Sequence, residues 1–91
     1  MEVDYDGAKR THTLDERGLD FSDAYKIFDG AEVTLLDDRF DYPEQRFQTY
    51  GNLDSRLVMI AWTPIEGGIR VISMRRCNDR EQRKFANTIG R

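Results

Sequence analysis

Six consecutive apolar residues, Leu57-Val58-Met59-Ile60-Ala61-Trp62, stand between two turn signals and constrain what this chain can become. The run is too short for a helix and lacks alternation, so it is expected to be a central strand buried on both faces. Asn52–Ser55 supplies a tight hairpin loop before it, and Pro64 with Gly67-Gly68 supplies the turn after it. Partner strands are therefore expected on either side. Arg46–Gly51 alternates Phe47 and Thr49 against polar residues, and Ile69–Met74 is a second apolar strand. Val33–Leu36 is short and apolar, and Glu2–Asp6 alternates Val3 and Tyr5 against acids.

Helices bracket these strands. Asp6 is a good N-cap for a helix over Gly7–Arg17, with Gly18 placed to end it. A second helix is expected after Asp20, with Phe21, Ala24, Ile27 and Phe28 on one stripe and Asp29-Gly30 as its stop. Asn78 followed by Glu81 resembles a capping box for a C-terminal helix in which Phe85 and Ile89 face inward. Arg80, Arg83 and Lys84 form its basic exterior. The order β-α-α-β-β-β-β-α predicts an α+β fold: two N-terminal helices packed on an antiparallel sheet, with a C-terminal helix. Ninety-one residues leave room for one core, so residues 1–91 are read as a single domain.

Net charge is −3, yet its distribution is uneven. Residues 1–45 carry 13 acidic and 5 basic side chains, and residues 46–91 carry 4 and 9. The second half is basic enough to face phosphate; equally, the two halves could attract one another in the fold. No stretch approaches the roughly 18 apolar residues of a membrane helix, and the acidic start does not suit a signal peptide, so a cytoplasmic protein is expected. A single cysteine, Cys77, excludes an internal disulfide and a multi-cysteine metal site, and it reads as a buried or semi-buried thiol. Trp62 reads as core, and His12 as a solvated surface histidine. The acidic turn Asp37, Asp38, Asp41, Glu44 reads as a solvated loop rather than a magnesium site, and no metal or other cofactor is expected.

Three segments in register resemble the BrnT family of type II toxins. The family opens with a pattern like WD-x-x-K…N-x-x-K-H-G-V-x-F-x-x-A. Tyr5-Asp6, Lys9 and Gly18-Leu19-Asp20-Phe21-Ser22-Asp23-Ala24 follow it here. Asp37-Asp38-Arg39, Glu44-Gln45-Arg46 and Gly51 follow the acidic turn, E-x-R and glycine of the family's middle. Ile69-Arg70-Val71-Ile72-Ser73-Met74-Arg75-Arg76 is similar to its I-R-I-I-S-A-R-R, with Glu81 after it. In one place the chain departs from the pattern: Glu16-Arg17 stands where the family has Lys-His, and Thr13 stands for its asparagine. The only histidine, His12, lies five residues before Arg17.

The resemblance implies a RelE-like fold and an RNA-cleaving toxin that arrests growth without a metal. It also implies a BrnA-like ribbon-helix-helix antitoxin, a complex of two toxins with two antitoxins, and operator DNA bound only through that complex. Cleavage by the neighbouring 2′-hydroxyl needs a proton acceptor, cations at the phosphate and a donor for the leaving oxygen. By resemblance the candidates are Lys9, Arg17, Glu44, Arg46 and Arg75 for catalysis, with Glu44 as a base, and Arg70, Arg76 and Arg80 for RNA binding. Arg46 and Arg75 are the favoured phosphate ligands. Regular alternation would put Arg70 and Arg75 on opposite faces of their strand, and Arg70 could equally pair with an acid of the first half. The replaced Lys-His pair supports an alternative, a catalytically decayed antitoxin-docking module or operon co-repressor.

Overall fold

The computed structural model describes residues 1–89. Strand β1 (Glu2–Tyr5) leads into helix α1 (Gly7–Arg17). A single 3-10 turn (Phe21–Asp23) continues into the short helix α2 (Ala24–Phe28). Four strands follow: β2 (Glu32–Leu36), β3 (Phe47–Leu53), β4 (Arg56–Ile65) and β5 (Gly68–Arg76). Helix α3 (Asp79–Ile89) closes the described chain. The five strands form one sheet in the order β1-β5-β4-β3-β2. Among the described residues no helix is long and apolar enough to cross a membrane.

The fold is α+β, but the sheet is mixed rather than antiparallel throughout. Strands β2 to β5 are antiparallel neighbours, whereas β1 pairs parallel with β5, Val3 opposite Ile69 and Tyr5 opposite Val71. Gly68 makes this closure possible. A Cβ there would sit 1.9 Å from the carbonyl oxygen of Glu2, so any side chain would push the first strand off the last.

Local chemistry sets the helix ends. The Asp6 carboxylate accepts from the Lys9 amide at 3.0 Å, and Gly18, at φ 68°, returns its amide to the carbonyl of Leu14. The expected second helix is split. Asp20 accepts from the Ser22 amide and winds its first turn as 3-10, leaving five residues of α-helix. Arg10 grips Asp20 with two parallel bonds of 2.8 and 2.9 Å, tying α1 to that turn and holding the carboxyl well below its usual range.

Each face of the sheet carries a core. On one, Leu19, Phe21, Ala24 and Ile27 cover Val58 and Ile60 of β4 with Ile69, Val71 and Met74 of β5. On the other, Phe85 and Ile89 of α3 cover Tyr50, Met59 and Ala61 beside Cys77. Burial on both sides is why β4 shows no alternation. Trp62 is partly buried against the first core, stacked on Phe47 at 4.9 Å, edge-on to Phe28, with its indole N–H donated to the hydroxyl of the fully buried Thr49.

A β-bulge in β5 decides which way its arginines point. Ala61 faces Ser73 and Trp62 faces Val71, so Ile72 is an extra residue. Ile72 packs with the α3-side core, whereas Val71 and Met74 lie in the opposite one. Arg70, Ile72, Ser73 and Arg75 thus share the α3 face, and the expected separation of Arg70 from Arg75 is overturned. Regular alternation fails here because two successive residues take the same side.

Candidate functional site

The two unequally charged halves do little to neutralise each other. Of the six ion pairs among the described residues, five join partners no more than ten positions apart. Only Arg70 with Asp4 spans the chain, locking β5 to β1. Arg70 therefore has the structural partner considered for it, an acid of the first half. Arg75 is held by Glu81 through two bonds of 2.8 and 2.9 Å. Arg46 bonds Glu44 at 2.8 Å and lies over the Tyr42 ring at 4.0 Å. Arg80 is exposed on α3 and forms no ion pair among the described residues.

Register separates the two arginines favoured from sequence. Arg46 lies just before β3, one position beyond the Phe47–Trp62 pair, while Arg75 faces Met59. That is roughly 13 Å along the strands and about 10 Å, two strand spacings, across them. A single phosphate cannot touch both.

Two other cations are brought together instead, and a third lies about 12 Å from Arg17 along the same helix. Arg17 donates to the main-chain carbonyl of Met74 at 2.8 Å, and Arg76 donates to the carbonyl of Arg17. Neutral oxygens fix both guanidinium groups, so their positive charge remains uncompensated. Lys9 stands on the same side of α1, and none of the three has a carboxylate partner among the described residues. Pairing with β1 ends at Val71, and at the open edge of β5 beyond it α1 borders a groove of about 340 Å³ lined by Lys9, His12, Thr13 and Arg17, with Ile72 and Ser73 contributing from that edge. Positions 9, 12, 13 and 17 fall on one stripe because helix neighbours recur every three or four residues. His12 is exposed, as expected, and its place on the groove's rim follows from its spacing of three residues from Lys9.

The remaining candidates contribute less to chemistry. Burial pushes the Cys77 thiol up to about 12, so at neutral pH it is not a nucleophile. The acidic turn divides: Asp37 is buried and gripped by Arg39 at 2.8 and 2.9 Å, which lowers its pKa, while Asp38 and Asp41 are exposed. Only part of that turn is the solvated loop expected. Among the described residues no three His, Cys, Asp or Glu side chains converge to hold a metal ion.

The family model described as the ribonuclease toxin BrnT of type II toxin–antitoxin systems matches residues 5–81, from the end of β1 to the first turn of α3. The chain belongs to the BrnT family. No curated protein matches it. BrnT membership makes ribonuclease activity the family's function and a protein antitoxin its partner. The match takes in every residue that lines the groove, Arg76 beside it, and the ion pair of Arg75 with Glu81.

Proposed function

We propose that this BrnT chain is a metal-independent endoribonuclease whose reaction centre is the groove between α1 and β5. The observation that carries this reading is a groove lined by Lys9, His12 and Arg17, with Arg76 bonded to the Arg17 carbonyl, in which no cation has a carboxylate partner among the described residues. In the reaction the 2′-oxygen of one ribose attacks the adjacent phosphorus and the bond to the next 5′-oxygen breaks. The products are a 2′,3′-cyclic phosphate and a 5′-hydroxyl end. His12 is the group that accepts the 2′-hydroxyl proton, since it lines the groove and an imidazole ring nitrogen can serve as the acceptor. Arg17 and Arg76 oppose the charge that builds on the phosphate oxygens. The Lys9 ammonium is the donor at hand for the leaving oxygen.

Arg46, Arg75, Arg70 and Arg80 then belong to the path of the RNA rather than to its scissile phosphate. By register Arg70 and Arg75 lie on the face shared with α3, and Glu44 holds Arg46 in place instead of serving as base. The resemblance extends the reading to a RelE-like fold acting in the cytoplasm. It also supplies the partner, a BrnA-like ribbon-helix-helix antitoxin in a complex of two toxins and two antitoxins that alone engages operator DNA.

The substitution of Glu16-Arg17 for the Lys-His of related toxins favours one second reading, a decayed docking or co-repressor module. Expression in a bacterial host separates the two. Growth arrest, relieved by the cognate antitoxin, is expected of the toxin; unimpaired growth at a confirmed protein level supports the second reading.

A further inference from the structure

Beside the groove lies a second hollow, of about 290 Å³, between α3 and the β3–β4 hairpin. Arg76 lines it, so one side chain borders both the hollow and the Arg17 cluster. We propose that this cavity is a subsite for one unstacked nucleobase of the RNA, whose phosphate rests on Arg76 and Arg56. The inference rests on the RNA-cleaving reading above and deepens it.

Size is the first argument. Pockets for drug-sized ligands begin at about 300 Å³, so this one suits a single ring system and excludes a helix or a strand. Lining chemistry is the second. Leu57, Ala86 and Ile89 give an apolar floor, and Gln82 and Arg56 give a polar rim. An accidental packing void is apolar throughout and stays dry; a rim of this kind does not fit that description. Gln82 donates its Nε2 to the carbonyl of Cys77 at 3.2 Å, which leaves its amide oxygen to accept from a base edge. Arg56 is exposed and has no carboxylate partner among the described residues, so its charge is available to a phosphate.

Continuity is the third. The phosphates of a single strand run along cations while its bases turn into pockets, and sequence-specific RNA recognition uses such splayed bases. Here a basic line from Lys9 through Arg17 and Arg76 to Arg56 passes from the groove to the rim of the cavity.

Methyl-labelled wild-type protein titrated with the four nucleoside 5′-monophosphates, and with ribose 5-phosphate as a baseless control, tests the site directly. Saturable shifts at the Leu57, Ala86 and Ile89 methyls are expected with at least one nucleotide and not with ribose 5-phosphate. In parallel, cut sites on a mixed-sequence RNA are mapped for wild type, Ala86→Phe and Arg56→Gln, each of confirmed fold. The ratio of preferred to disfavoured cuts is expected to fall at least tenfold in both variants. Methyls unmoved by every nucleotide, an unchanged cut ratio, or shifts produced by the antitoxin alone would overturn the subsite. A folded wild type that cuts no RNA would instead overturn the reading beneath it, and the nucleotide titration would still decide the cavity.

Discussion

Arg76 donates its guanidinium to the main-chain carbonyl of Arg17, so two arginines far apart in sequence stand together, neither with a carboxylate partner among the described residues. Their neighbour Arg75 is arranged otherwise, clasped by both oxygens of Glu81. One residue of sequence thus separates a cation left available from a cation already spoken for. The pairing pattern, more than the number of arginines, is what the proposed reaction centre rests on.

His12 is exposed on α1, so its replacement costs little in folding. His12→Asn is expected to lower single-turnover RNA cleavage by about 10²- to 10⁴-fold. Unfolding free energy should change by no more than about 0.5 kcal/mol. Cleavage and a urea melt on the same preparation check both.

Arg70 illustrates the opposite case. Its bond to Asp4 joins two half-exposed side chains, and such pairs are worth less than about 1 kcal/mol. Arg70→Ala is expected to lower stability within that limit and to leave the rate of phosphodiester cleavage within about threefold. A loss as deep as that of His12→Asn would place Arg70 in the chemistry instead.

Glu81 couples stability to acid. Its carboxyl is held down to about 2, from an ordinary 4.5, first by the bond from Arg75. It also accepts from the Asn78 amide in the reciprocal cap of α3. A depressed carboxyl stabilises the fold above its unfolded pKa, and that contribution is lost as pH falls from about 4.5 through about 2. Glu81→Gln is expected to cost about 1–3 kcal/mol at pH 7. Its disadvantage should shrink towards pH 2. Urea melts of both proteins across that range show whether the curves converge.

Gly68→Ala tests the closure of the sheet. With a Cβ driven against the Glu2 carbonyl, the expected cost is about 2 kcal/mol or more. Amide exchange should quicken in β1 before it does in β4.

What could be read from sequence divides along the same line as local and distant interactions. Helix α1 runs over the residues expected, Gly7–Arg17, because Asp6 and Gly18 act on their immediate neighbours. The reciprocal cap of Asn78 and Glu81 was legible for the same reason. The parallel pairing of β1 with β5 was not, since it joins the first strand to the last. Nor was the bulge at Ile72: nothing local in Ile72-Ser73 announces two residues on one side, and the faces of Arg70 and Arg75 depend on it. The candidate cations were legible as residue types. Which were neutralised was not, because Asp4, Glu44 and Glu81 choose their partners through the fold.

The most direct test is single-turnover cleavage of labelled RNA in EDTA by wild type and by an Arg17→Gln, Arg76→Gln double variant of confirmed fold. The account predicts EDTA-resistant cleavage to 2′,3′-cyclic phosphate ends, reduced at least about 100-fold in the double variant, the loss typical of removing a donor to developing charge. Cleavage that needs a metal, or that persists undiminished without the two guanidinium groups, would contradict it.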